Sequence, residues 1–227
     1  MTGEPFIRLT PNDRSAMDHT RQIVLGTYNQ EKRTELQQLL APLGIELQTL
    51  KEYPDAIEVE EDGISFTENA TKKATEQAVH LGRWVLAEDS GLCVDALKGA
   101  PGIYSARFSG EEATDESNND LLLEKLQGLP DEKRGAHYVC HITLSDPSGN
   151  AILQTEDKCH GRIAHERHGT HGFGYDPLFL IPEYHLTFGE LGPAVKGLLS
   201  HRAKATREFV AQLNGLLRKN PQLLSKK

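Results

Sequence analysis

Ala87-Glu88-Asp89-Ser90-Gly91-Leu92 sets two adjacent carboxylates and a hydroxyl directly behind the apolar run Trp84-Val85-Leu86-Ala87. The run reads as a short buried strand, and Ser90-Gly91 as the turn that ends it. In an open α/β sheet, carboxylates at the C-terminal end of a strand face a crevice. Oxygen ligands there can hold a hard cation such as Mg²⁺ beside a phosphate. The competing reading is an ordinary Asp-Ser-Gly turn, because Asp stabilises turns without doing chemistry.

Three other segments bear on this choice. Thr27-Tyr28-Asn29-Gln30-Glu31-Lys32 lies between a strand and a helix N-terminus, where free N–H groups and the helix dipole favour an anion. It matches no Walker loop or dinucleotide fingerprint, and a capped helix with a surface lysine is the alternative. Ser200-His201-Arg202 puts a potential and a permanent cation in the first turn of a helix. The dipole disfavours each charge there by about 0.3 to 1 kcal/mol. A bound anionic or carbonyl-bearing ligand would offset that cost, as would an acidic neighbour, and the arginine fork suits a base oxygen or a phosphate. Gly169-Thr170-His171-Gly172-Phe173-Gly174-Tyr175-Asp176-Pro177 joins close-approach glycines to two rings and an acid. A planar base can stack on such a ring while Asp176 or the backbone fixes its edge; the alternative is a glycine-rich loop with core aromatics. His160, His165, His168 and His171 crowd near Cys159, but their spacing fits no usual zinc pattern.

These segments must be carried by an ordered set of elements. Ile23-Val24-Leu25 reads as a strand, followed by a helix capped by Asn29, with Leu36, Leu39, Leu40 and Leu43 on one face and Gly44 as its stop. Ile45 to Leu50 reads as a second strand, and an acidic stretch from Glu52 to Asp62 follows. Ser65-Phe66-Thr67-Glu68 is a capping box for a helix with the inward stripe Phe66, Ala70, Ala74, Ala78, ended by Gly82. With the strand at Trp84 this makes a β-α-β-α-β opening and predicts an α/β fold. A helix from about Ser117 to Leu126 precedes two longer strands, Ala136 to Leu144 and Ala151 to Ile163, joined by a turn at Asp146-Pro147-Ser148-Gly149. Tyr175 to Ile181 reads as a short strand, and Ser200 to Leu217 as a helix burying Phe209, Val210, Leu213, Leu216 and Leu217.

With 227 residues, one domain with two lobes over 22–218 is expected, behind a loose extension at 1–21 and ahead of a frayed tail at 219–227. A net charge of −8 argues against bulk nucleic-acid binding, so an anion site has to be local. No apolar run approaches the roughly 20 residues of a membrane span. Three cysteines without paired spacing suggest no disulfide scaffold and fit a cytoplasmic location.

Six ordered motifs between Ile23 and about Leu217 resemble the inosine/xanthosine triphosphate pyrophosphatase family, also called Ham1-like. They are Thr27-x-Asn29-x-x-Lys32; Glu60-Glu61-x-Gly63-x-x-Phe66-x-Glu68-Asn69-Ala70; Asp89-Ser90-Gly91-Leu92; Gly99-Ala100-Pro101-Gly102-Ile103-Tyr104-Ser105-Ala106-Arg107; Phe173-Gly174-Tyr175-Asp176-Pro177; and Ser200-His201-Arg202. The resemblance implies an elongated mixed sheet with flanking helices, two lobes around a central nucleotide-binding cleft, and a homodimer. It implies a hydrolase that cleaves ITP, dITP or XTP between the α and β phosphates with Mg²⁺, keeping deaminated purines out of DNA and RNA.

Residue by residue, it implies that Thr27, Tyr28, Asn29, Gln30, Glu31 and Lys32 bind the triphosphate, and that Glu60 and Asp89 hold Mg²⁺. Asp89 would also be the base acting on the attacking water. Ser90 would bond a phosphate or sugar oxygen, and Phe173, Gly174, Tyr175 and Asp176 would line the base pocket. Lys196 would contact phosphate or base, and His201 with Arg202 would read the 6-oxo edge. Tyr28 and His171 stand where the family usually has Gly, and Glu88 where it often has Asp. A Maf-like pyrophosphatase, with related fold and chemistry but a pyrimidine or modified-nucleotide preference, is the enzymatic alternative. A nucleotide-binding protein without turnover is the non-enzymatic one.

Overall fold

A computed structural model describes residues 21–224. Residues 87–92 lie inside the third strand of a seven-stranded sheet. Strand β1 (Gln22–Leu25) pairs in parallel with β2 (Glu46–Thr49) on one side and with β3 (Val85–Val94) on the other. Antiparallel strands β4 (Gly135–Ser145), β5 (Ala151–Ile163), β6 (Phe179–Ile181) and β7 (Leu186–Thr187) continue the sheet. The order is β2-β1-β3-β4-β5-β6-β7, so the fold is α/β with a mixed sheet.

Local signals start and stop the helices as the residues predict. Helix α1 (Gln30–Leu40) begins where the Asn29 side chain accepts the Lys32 N–H at 2.8 Å, and the chain turns away at Gly44 with φ 61°. Helix α2 (Phe66–Leu81) starts at Ser65, whose hydroxyl accepts the Glu68 N–H at 3.2 Å, and ends at Gly82 with φ 60°. Helix α3 covers Asp115–Lys125, two residues earlier than expected, because Thr114 and Ser117 form the N-terminal cap. Helix α4 (Phe188–Leu199) was not expected; Gly192 and Pro193 inside it disguise two short helical pieces that meet at a kink. Helix α5 (His201–Lys219) follows immediately, capped by Ser200.

Packing decides which face of β3 looks where. Leu86 joins a core of Ile23, Leu25, Ile142, Leu144, Phe209 and Leu213 beneath α1 and α5. Val85, one residue away, joins Val24, Leu50 and Ala78 beneath α2. A third cluster beyond them gathers Leu92, Val94, Tyr138, Phe179 and Phe188. Truncating the fully buried Phe209 to Ala would cost about 3 to 5 kcal/mol.

Three expectations change. The Asp-Ser-Gly segment is no turn: β3 runs on through it, held by continuous pairing with β4 from Val85↔Ser145 to Val94↔Ala136. The strand expected from Tyr175 is confined to Phe179–Ile181, because 173–177 turns back on itself. The tail is not frayed through Leu224, which is 2 % exposed, belongs to the α1/α5 core and accepts the Gln22 N–H at 3.3 Å. Of the extension expected at 1–21, Arg21 is described and its carbonyl accepts the Glu46 N–H at 2.9 Å, while residues 1–20 and the last residues, 225–227, lie outside the described residues.

Candidate active site

β1 meets β3 only at Val85 and Leu86, so beyond Ala87 one edge of β3 has no parallel neighbour. That open edge is the floor of a cleft. The N-terminus of α1 forms one wall, and the segment Gly102–Arg107 the other, tied to β3 by the Leu92 N–H donating to Ser105 Oγ at 2.9 Å. Gly91 is required there, because a Cβ would collide with the Gly102 carbonyl and the Ser105 hydroxyl. Strand alternation sends Glu88 and Ser90 toward α5 and Asp89 toward α2.

Two cavities meet across this edge and share Asn29, Lys32, Ser90 and Ala106. The larger, about 280 Å³, is lined by Thr27, Tyr28, Glu61, Lys73, Gln77, Asp89 and Arg107 among others. Asp89 accepts from the Asn69 amide at 3.2 Å, and its Oδ1 lies 3.3 Å from Lys73 Nζ, which is also 3.1 Å from Glu61. Burial pushes the Asp89 carboxyl above its ordinary range, against the pull of Lys73 and Lys32. Two carboxylates converging on one ammonium form an oxygen-only donor set. Mg²⁺ commonly binds through one or two carboxylates plus substrate phosphates, so these residues fit it.

The smaller cavity, about 130 Å³, is lined by rings and buried polar groups: Tyr138, Phe173, Tyr175, Asp176, Lys196, His201 and Arg202. His201 stacks on Tyr138 at 4.6 Å with 9° between planes, and its Nδ1 has no partner among the described residues. Burial, then the Arg202 and Lys196 charges, hold its pKa well below the usual value, so the imidazole is neutral. The expected dipole conflict at the start of α5 therefore involves Arg202 alone. That guanidinium is 1 % exposed and binds Glu88 through Nε at 2.9 Å, Glu35 through Nη1 and Ser90 Oγ through Nη2 at 3.0 Å. Lys196 bridges Asp176 at 2.6 Å and Glu35 at 3.0 Å and lies 4.4 Å from the Phe173 ring centre.

The loop carrying Phe173 is held in place from two sides. The Phe173 N–H donates to Asp176 at 2.9 Å, and Asn119 of α3 donates to the Gly174 carbonyl at 2.9 Å. Gly172, with φ 79°, has no room for a Cβ against the Asp176 carboxylate.

Among the residues expected at the site, Thr27, Tyr28, Asn29, Lys32, Ser90, Asp89, Phe173, Gly174, Tyr175, Asp176, Lys196, His201 and Arg202 line one or both cavities. Gln30 and Glu31 do not; they are exposed on α1, and Gln30 bonds Thr34 and Arg33. Glu60 is exposed and outside the lining, and its neighbour Glu61 takes the inward place because extended chain alternates its side chains. The four crowded histidines separate. His160 lies against the His137 ring at a tilt, His165 pairs with Asp131, His168 approaches Glu166 and His171 lies beside Gly192. Sequence reasoning missed Lys73, Glu35 and Tyr138. A polar series Asn69, Lys73, Gln77, each one place before Ala70, Ala74 and Ala78, was the signal for the first.

The Ham1 family model matches residues 23–212. The chain belongs to the Ham1 family. This Ham1 chain is 56% identical over 204 residues to the dITP/XTP pyrophosphatase of Rhodopirellula baltica, covering 90% of this chain and 98% of that protein. It is 48% identical over 192 residues to the protein of the same name from Exiguobacterium sp., covering 85% and 96%. The Ham1 protein structure from Coxiella burnetii superposes with a TM-score of 0.80 at 38% identity, covering 86% and 99%. The Staphylococcus aureus Ham1 protein gives 0.78 at 37% with the same coverage. The fold is thus that of the Ham1 proteins, as the six motifs implied.

Proposed function

We propose that the protein hydrolyses dITP, XTP and ITP to the monophosphate and pyrophosphate, removing deaminated purines before they enter DNA or RNA. The observation that carries this reading is the pair of cavities joined at Lys32 and Ser90, ring-lined on one side of the β3 edge and charged on the other. A purine fits the first, a polyphosphate the second, and the α-phosphate then lies at the junction beside Asp89. The printed names of the relatives from R. baltica and Exiguobacterium support the same substrates.

In this reading, a water attacks the α-phosphorus in line, its proton passes to Asp89, and the bond to the bridging oxygen breaks with its electron pair leaving on pyrophosphate. A carboxyl made more basic by burial suits the first transfer, and the Lys73 and Lys32 charges oppose that rise. Lys32 and Lys73 also face the phosphoryl oxygens, where fixed positive charge stabilises the transition state. Asp89 and Glu61 would hold Mg²⁺, which supplies charge neutralisation and a more acidic water when bound. On the ring side, Phe173, Tyr138 and His201 would clasp the base. A donor aimed at the 6-oxo group finds no acceptor on the 6-amino group of ATP, a mismatch that costs orders of magnitude in turnover. A tight wall at the 2-position would exclude the amino group of GTP. The family resemblance further supports a homodimer, and the three free cysteines fit a cytoplasmic setting.

Phosphate analysis of the purified protein with Mg²⁺ tests this across XTP, dITP, ITP, GTP, ATP and dTTP. Pyrophosphate from the first three, with little from the others, is expected. Orthophosphate as the primary product, or preference for dTTP, would overturn the assignment.

A further inference from the structure

Helix α2 carries Asn69, Lys73 and Gln77 one turn apart on the face toward the cleft. The first two have partners in Asp89 and Glu61. Gln77 does not. It is 2 % exposed, and neither Nε2 nor Oε1 has a hydrogen-bond partner among the described residues. A buried amide left unpaired at both ends opposes folding, whereas an apolar side chain of the same shape would not. Yet Gln77 lines the charged cavity, beside Gly26 and Thr27.

Its place along the cleft follows from the chain directions. The Phe66 ring abuts Gly91, and Asn69 and Lys73 reach Asp89, so α2 runs opposite to β3. Gln77 lies one further turn, about 5.4 Å, beyond Lys73. Gly91 borders the ring-lined cavity. Gln77 is therefore at the far end of the charged cavity, past Asp89 and away from the base. A triphosphate whose α-phosphate lies at the junction extends its last phosphoryl group in this direction.

We infer that Gln77 is a specificity residue for the terminal phosphate of the nucleoside triphosphate, its side-chain amide N–H donating to a γ-phosphate oxygen. This rests on the triphosphate reading above. The unpaired amide is then the cost of a contact made only when the third phosphate is present. It also gives the site a means of preferring triphosphates over diphosphates, which the carboxylates and lysines around the α-phosphate do not distinguish.

Gln77→Met keeps the length of the side chain and removes both polar atoms. The ratio of kcat/KM for XTP to that for XDP is expected to fall about tenfold, the range of one hydrogen bond to a charged group. The ligand-free Tm is expected to rise by about 2 to 4 °C, which damage to the fold would not produce. Gln77→Ala serves for the ratio if the methionine variant does not fold. A ratio within twofold of the unaltered protein overturns the assignment. Calorimetric binding of inorganic tripolyphosphate, set against pyrophosphate, decides the point without turnover. An approximately tenfold loss confined to tripolyphosphate supports the role, and equal losses or none refute it. Absence of pyrophosphate release by the unaltered protein would instead sink the reaction assignment, while leaving the calorimetric comparison to judge Gln77.

Discussion

Glu88→Gln probes the buried carboxylate that pairs with both Lys32 and Arg202. Glu88 is fully enclosed between Arg202 Nε at 2.9 Å, the Cys140 thiol at 2.9 Å and Lys32 Nζ at 3.5 Å. Burial by itself would raise its pKa, but the Arg202 and Lys32 charges outweigh this and hold it well below its ordinary 4.5. Removing one partner of a buried ion pair costs about 3 to 5 kcal/mol, because the other charge is left uncompensated. Here Glu35 still holds Arg202 Nη1, so the low end, about 3 kcal/mol, is expected. In a domain of this size that lowers Tm by roughly 6 to 12 °C. The folded-state pKa is depressed, so the carboxylate's contribution is present above pH 4.5 and is lost as pH falls through the folded value. Urea unfolding of both proteins from pH 7 downward should therefore show a gap that narrows below pH 4.5. A second variant, Glu88→Gln with Arg202→Met, should recover part of the loss, since the buried Arg202 charge is no longer left without Glu88. A single variant within about 1 kcal/mol of the unaltered protein at pH 7 would refute the reasoning, because that is the contribution of a solvated pair.

Other changes separate the roles of neighbouring groups. Asp89→Asn should lower pyrophosphate release by a factor of about 10² to 10⁴, the range of a lost general base, with an unchanged circular dichroism spectrum. Lys73→Met removes a charge that lowers the Asp89 pKa, so the acidic limb of kcat against pH should move to higher pH; a limb that stays put would detach Lys73 from Asp89. Glu61→Gln should weaken Mg²⁺ activation and Glu60→Gln should leave it nearly unchanged; equal effects would contradict the inward placement of Glu61. Gly91→Ala should destabilise by about 1 to 3 kcal/mol in urea unfolding, because the methyl group meets the backbone of Gly102.

What the chain determined by itself was local. The caps at Asn29 and Ser65, the stops at Gly44 and Gly82 and the alanine stripe of α2 act within one or two turns, so residue type and spacing were enough to read them. The six motifs carried the family for a related reason: each is a short stretch whose chemistry is complete in sequence. Tertiary structure decided the rest. Asp89-Ser90-Gly91 has the composition of a turn, and only pairing with β4 along its whole length keeps it extended and turns its edge into a cleft floor. Gly192 and Pro193 hid α4, whose packing against the sheet offsets a helix interruption that local propensity cannot. Arg202 finds Glu88 across 114 positions and Glu35 across 167, and no periodicity announces a buried charge whose partner lies that far away. Side-chain partnership at the site is a property of converging elements, and the spacing along any one of them does not contain it.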